Sequence, residues 1–292
     1  MAGIRFRTEI SVKRSRHPVT HQSSLLLLGS CFSDEVGARL RDSGFSVTVN
    51  PTGTLYNPLS IAYAMRRFMG LGPDDGPVLV EHDGLWHSMD HHTRFSSPDL
   101  EVLRDGIASA QNCGAAAVKE ASHLFVTLGS AYVYELADTG RVVANCHKLH
   151  PSRFTRRKLT VSDIVDCWSD VLREFHLLNN HVQVIFTVSP IRHMADGLHG
   201  NQLSKATLLL AVDELCSLFP DFVSYFPAYE ALIDDLRDYR FYAEDLAHPS
   251  SVAVSYVYSL LSDSYFSEQT VLRCRECEKE ARRSRHRQIG GV

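Results

Sequence analysis

Two short stretches of this sequence hold side chains that could make and break acyl bonds. In "LLLLGSCFSDEVGARLRDSG" (25–44), Ser30 and Cys31 stand side by side where an apolar run stops at Gly29 and a helical pattern begins. In "RFYAEDLAHPS" (240–250), Asp245 and His248 are three residues apart, directly before an amphipathic segment. A nucleophile at the start of a helix meets backbone N–H groups that can hold an oxyanion, and the helix dipole favours the negative charge that develops there. A histidine would take the proton of that nucleophile, and a carboxylate would orient the imidazole. Asp-x-x-His in a short turn can present both groups to one place. From these residues alone, either Ser30 or Cys31 qualifies as the attacking group.

Groups so far apart in the chain need a scaffold, and the patterning provides one. Residues 25–28 are four consecutive leucines, short and continuous as in a buried parallel strand. Phe32, Val36 and Leu40 then recur along one helical face, with Asp34 and Glu35 in the first turn and Gly44 placed to end it. "FSVTVN" (45–50) alternates like a second strand. "HLFVTLG" (123–129) and "VQVIFTVS" (182–189) repeat the apolar run that stops at a small or polar turn. Helices are expected over 159–178 with Thr160 as N-cap, over 205–219, and over 248–266 with Pro249 near the first turn. Alternating strands and helices predict a parallel sheet covered on both faces, with ligands bound beyond the carboxyl ends of the strands. The residues to collect are therefore Gly29-Ser30-Cys31, Asn50-Pro51-Thr52-Gly53, Gly129-Ser130 and Ser189-Pro190.

With 292 residues, 44% hydrophobic and 22% charged, the chain has an ordinary globular composition and the length to bury a core. A net charge of −4 supplies no general attraction to nucleic acid. No apolar run approaches the roughly 18 residues of a membrane span, and the N-terminus lacks the apolar region of a secretory signal. A cytoplasmic location is expected. Seven dispersed cysteines fit a reducing compartment. Cys274 and Cys277 form a lone CxxC, read as two thiols on a charged terminal helix, and "WHSMDHH" (86–92) fits no standard metal spacing. No metal and no cofactor are expected. Residues 1–270 read as a single α/β domain with an irregular insertion at about 70–100, including a short hairpin around Asp83-Gly84. Residues 271–292 read as a charged tail, a helix fading into a disordered end.

Taken in order, "GSCFS", "NPTGTLYNPLSI", "TLGSAYVYE", "NCHK" with the following "FTRRKLT", "SPIRH" and "YRFYAEDLAHPS" resemble the GSCFA family, relatives of the SGNH (GDSL-type) hydrolases. The resemblance spans nearly the whole chain; Ser33 stands where the family name has Ala. It implies a flavodoxin-like three-layer α/β/α fold, the SGNH-hydrolase fold, around a central and mostly parallel sheet, with an acyl-handling site. Asp245 and His248 match the superfamily's DxxH as orienter and base. GDSL enzymes carry their serine two residues after the glycine, so superposing Gly29 puts Cys31 on the nucleophile and Ser30 on the aspartate. A thiol at a helix N-terminus beside a histidine is expected to have a lowered pKa. Ser30 stays as the adjacent alternative. The superfamily's other oxyanion donors are a loop glycine, which Gly53 fits by position, and an asparagine. The usual GxND is absent after Gly129, and Asn145 from a neighbouring loop is the candidate amide. His147 is a candidate for substrate contact or as an alternative base, and Arg192 and His193 for lining the pocket.

These residues imply an acyl-ester hydrolase or O-acyltransferase acting through a covalent acyl-enzyme on a small-molecule or carbohydrate ester. The basic stretch "KLHPSRFTRRK" (148–158) would suit an anionic substrate or an acyl donor such as a coenzyme A thioester. The alternative is a catalytically silent ligand-binding module on the same fold, for which the missing GxND argues.

Overall fold

A computed structural model describes residues 7–72 and 76–289. The disordered end expected at the C-terminus, in 290–292, and part of the expected insertion, 73–75, lie outside the described residues. The first half of the chain runs β1 (Ser24–Gly29), α1 (Cys31–Asp42), β2 (Ser46–Val49), α2 (Pro58–Phe68), β3 (Leu79–His82), β4 (Leu85–Ser88), α3 (Leu100–Glu120) and β5 (His123–Leu128). Three short strands follow: β6 (Tyr132–Leu136), β7 (Val142–Val143) and β8 (Phe154–Lys158). Then come α4 (Val161–Leu178), β9 (Gln183–Val188), α5 (Gly197–Leu218) and β10 (Val223–Tyr225). A single turn, α6 (Ala228–Glu230), continues into a π-helical turn at Ala231–Leu236, and α7 (Ser251–Tyr265) and α8 (Glu268–Ile289) close the chain.

The central sheet has the order β10-β9-β5-β1-β2, and every pairing in it is parallel. Numbered among themselves these strands run 2-1-3-4-5, the flavodoxin-like arrangement, and the direction of winding reverses between β1 and β5. Four consecutive leucines make physical sense in β1. Leu26 and Leu28 face a core built with Met65 of α2, Trp168 of α4 and Leu208 of α5. Leu25 and Leu27 face the opposite core, with Phe32 of α1 and Val257 of α7. Both faces of the strand are dry, so alternation would fail here. Truncating any of the four to Ala should cost about 2–5 kcal/mol.

Local signals explain most boundaries. Thr160 and Asp163 form a reciprocal capping box at the start of α4. Ser250 caps α7 by accepting from Ala253 N–H, which places Pro249 one residue before the cap. Asp83 and Gly84 take φ of 50° and 72°, the left-handed pair that a two-residue hairpin between β3 and β4 requires. Three features differ from the expectation. Helix α5 starts at Gly197, well before residue 205, through a polar stretch with no apolar period. Strands β6, β7 and β8 form an antiparallel sheet of their own, which turns the basic stretch 154–158 into a strand. The charged C-terminal segment is a helix against the body: Cys274 is buried, and Cys277 Sγ would lie 2.6 Å from a Cβ placed on Gly44.

Candidate active site

Gly29 is the pivot between strand and helix. It ends β1 at φ 129°, and a Cβ there would lie 2.1 Å from the carbonyl oxygen of Thr127 on β5. Its N–H donates to Asn50 Oδ1 at 2.8 Å, and Asn50 Nδ2 donates to Asp34 Oδ1 at 3.0 Å. The turns after β1 and β2 are thereby tied to the first turn of α1. Ser30 is the N-cap and Cys31 the first residue of that helix. The N–H groups of Cys31 and Phe32 open the helix, at positions that have no intrahelical acceptor.

The two candidate nucleophiles part company here. Cys31 Sγ lies 3.8 Å from His248 Nε2. Ser30 Oγ is buried and has no hydrogen-bond partner among the described residues. His248 Nδ1 is 2.5 Å from Asp245 Oδ2, while Asp245 Oδ1 accepts the N–H groups of Ala247 and His248 at 3.0 and 2.9 Å. The His248 N–H, followed by that of Ala247, pulls the Asp245 carboxyl down to about 2, so it is ionised at neutral pH. Leu246 closes this turn at φ 57°, in the left-handed region. Arg192 N–H donates to Ala247 O at 3.1 Å, and the Arg192 guanidinium lies 4.1 Å over the Tyr242 ring. Arg192 therefore braces the loop that carries the acid and the imidazole.

The thiol pKa departs from expectation. Burial pushes Cys31 up, and the carboxylates of Asp34 and Glu35 add to it; its own N–H and the Tyr56 hydroxyl act in the other direction. The helix start does favour an anion, but desolvation and two acids in the same first turn outweigh it. The thiol therefore holds its proton at neutral pH and depends on a base.

Tyr56 was not among the sequence-predicted site residues. Its loop is held to the nucleophile turn by Leu55 N–H, which donates to Gly29 O at 3.0 Å, and burial, the Cys31 thiol and Asp34 push the Tyr56 hydroxyl up to about 12, so it stays protonated. Its carbonyl accepts Gly129 N–H at 2.8 Å and Ser130 N–H at 3.0 Å, which locks its loop onto the end of β5. The one signal in the sequence was its place in "GTLYNP", between Gly53 and Asn57, the N-cap of α2. Lys205 was also missed. It is fully buried in α5, and its Nζ donates to Gly129 O and Ser189 O at 2.7 Å each, tying the ends of β5 and β9 together.

The predicted oxyanion donors are engaged elsewhere. Gly53 N–H donates to Asn50 O at 2.8 Å, closing its own turn. Asn145 Nδ2 donates to Thr93 Oγ1 at 2.9 Å, and Asn145 Oδ1 accepts His147 N–H at 2.9 Å. His147 is buried, stacks on His87 at 4.6 Å and pairs through Nε2 with Ser88 O at 2.7 Å, so it is structural to the insertion rather than a base at the site. His193 packs edge-on against Tyr56 and is pulled down to about 4 by burial and by Lys205, which leaves it neutral. In the basic stretch, Arg157 pairs with Glu135 and Asp163, and Arg156 with Asp196, so that rim is partly neutralised. Among the described residues no cluster of three His, Cys, Asp or Glu side chains could hold a metal ion.

Fold and site together define a class: a parallel α/β/α protein with Cys, His and Asp aligned at the switch point of its sheet. The GSCFA family profile matches residues 24–260, and the chain belongs to the GSCFA family. No curated protein sequence matches it significantly. Solved structures similar to it include an acetyl xylan esterase from Butyrivibrio proteoclasticus, at 12% identity and a TM-score of 0.44, covering 84% of this chain and 64% of that one. A GDSL-like lipase from Bacteroides thetaiotaomicron matches at 10% identity and a TM-score of 0.41, over 85% of this chain and 90% of the other. A carbohydrate esterase family 3 protein from Talaromyces cellulolyticus matches at 10% identity and 0.40, over 87% and 99%. At such identities the chemistry of this chain has to come from its own side chains. No helix among the described residues is long and apolar enough to cross a membrane.

Proposed function

We propose that the chain is an acyl-ester hydrolase or O-acyltransferase that works through a thioester on Cys31. The observation that carries this reading is the line from Cys31 Sγ through His248 to the ionised Asp245. His248 Nε2 takes the thiol proton as Sγ bonds to the ester carbonyl carbon, whose π pair moves onto oxygen. The Cys31 N–H holds that oxyanion, and the Tyr56 hydroxyl supplies the side-chain donor that GxND would have provided. Collapse breaks the bond to the alcohol oxygen, which receives the proton from His248. Water, or an acceptor hydroxyl on a small molecule or carbohydrate, then gives its proton to His248 and attacks the thioester, and Sγ regains its proton. Water makes the enzyme an esterase; another hydroxyl makes it an acyltransferase, and with a coenzyme A thioester as donor the bond broken is that to the coenzyme A sulfur, which takes the proton from His248.

A second reading, a silent binding module on the same fold, is favoured by the raised thiol pKa and by the occupied Gly53 amide. Brief treatment with p-nitrophenyl acetate, followed by tandem mass spectrometry with and without neutral hydroxylamine, separates the two. A hydroxylamine-labile acetyl on Cys31, lost in His248→Ala, is the expected result. Acetyl on Ser30 would transfer the role to the serine, and an unlabelled turn would favour the binder.

A further inference from the structure

We infer that the cavity beside Tyr56 receives the acyl group of the substrate, and that this group is apolar and larger than acetyl. The inference rests on the thioester reading above and adds the substrate class. The cavity, open to solvent and of about 610 Å³, lies between the loop bearing Tyr56, strands β6 and β8, and the loop from Ala144 to Pro151. Tyr56 forms part of its wall, and the N–H of Leu55 beside it donates to Gly29 O at 3.0 Å, so the Tyr56 end of the cavity adjoins the turn that carries Cys31.

The chemistry of the wall selects the occupant. Besides the phenols of Tyr56 and Tyr134 and the thiol of Cys146, two polar side chains line it, Asn145 and Arg156, and both are engaged within the protein. Asn145 spends its amide on Thr93 and its oxygen on the His147 N–H. Arg156 is ion-paired to Asp196 and lies 4.2 Å over the Tyr132 ring. The rest of the wall includes the side chains of Leu149, Pro151 and Phe154, together with the exposed ring of Tyr134, which packs edge-on against Phe154. A sugar placed here would give up water around its hydroxyls for few free partners, whereas an alkyl or aryl chain loses nothing polar. The sheet that builds this wall is an addition to the parallel fold, inserted between β5 and β9. Specificity would then come from the insertion and the reaction from the sheet edge.

The test is a series of p-nitrophenyl acetate, butyrate, hexanoate and octanoate with the full-length protein, Cys31→Ala, Leu149→Trp and Tyr134→Ala. Cys31-dependent kcat/KM should climb by up to roughly fourfold per methylene until the cavity is filled, as expected for burial of each CH₂. The readout in the variants is the hexanoate-to-acetate ratio, which should fall at least tenfold in Leu149→Trp as the added ring fills the cavity. Tyr134→Ala, at an exposed position, should lower the same ratio about threefold while melting at the parent temperature; it keeps the test open if Leu149→Trp does not fold. Cys31-dependent turnover that is flat or falls with chain length, or a climb that neither variant alters, overturns the acyl-pocket assignment and leaves the nucleophile intact. Absence of any Cys31 acyl-enzyme across the whole series overturns both.

Discussion

At Cys31, three neighbours pull in different directions. Burial and the acids of α1 keep the proton on sulfur, His248 stands ready to remove it, and the Tyr56 hydroxyl favours its departure. If the phenol also holds the oxyanion, Tyr56→Phe should lower kcat on an ester by about 10²-fold, with KM nearly unchanged. The alkylation rate of Cys31 with iodoacetamide should fall by much less, its pH profile moving up because one stabiliser of the thiolate is gone. Equal losses in both assays would mean that Tyr56 merely steadies the thiol. Sequence spacing singled out Ser30, Cys31, Asp245 and His248, because a strand end, a helix start and an i,i+3 turn are local patterns. It could not find Tyr56, since a phenol in a loop between a glycine and a helix cap has no distinctive spacing.

Among the elements, the turn from β1 to α1 is the most constrained. Gly29 has a positive φ and a neighbour's carbonyl where a Cβ would go, so Gly29→Ala should separate β1 from β5 at the site. A melting temperature unchanged from the parent would refute that reading. The start of α4 offers a contrasting case far from Cys31. Thr160→Ala removes one half of the capping box and should cost about 1 kcal/mol in urea unfolding, with ester turnover unaltered. Long apolar strands and capped helices were legible because each carries its own period and punctuation. Strand β10 has three residues and β7 has two, too few for any period to show, and both exist through pairing with neighbours.

Across the whole molecule, stability should depend on pH through buried neutral histidines. His91 is pulled down to about 4 by burial, with Arg67 and His147 contributing, and His193 likewise by burial and Lys205, partly offset by Asp196. The unfolded chain takes up these protons near pH 6.5, whereas the folded chain refuses them until about 4. The stabilisation is therefore complete above about 6.5 and is lost progressively as the pH falls towards 4, by a few kcal/mol in total. Urea midpoints at pH 7.5, 5.5 and 4.5 should fall in that order, and a flat series would show that these rings are hydrated or protonated in the native state.

The sequence by itself determined the repeating strand-and-helix plan, the strand-turn-helix that presents Ser30 and Cys31, and the Asp245-His248 turn. Each is set by hydrogen bonds and apolar periods among residues close in the chain. Only the tertiary structure decided that Cys31 rather than Ser30 faces an imidazole 217 residues away. It also decided that Gly53 and Asn145 spend their donors on Asn50 and Thr93, that Tyr56 stands at the thiol, and that the thiol keeps its proton. Those outcomes depend on which acceptor a donor meets first and how much water is excluded around it, and both are set by packing between segments distant in the chain.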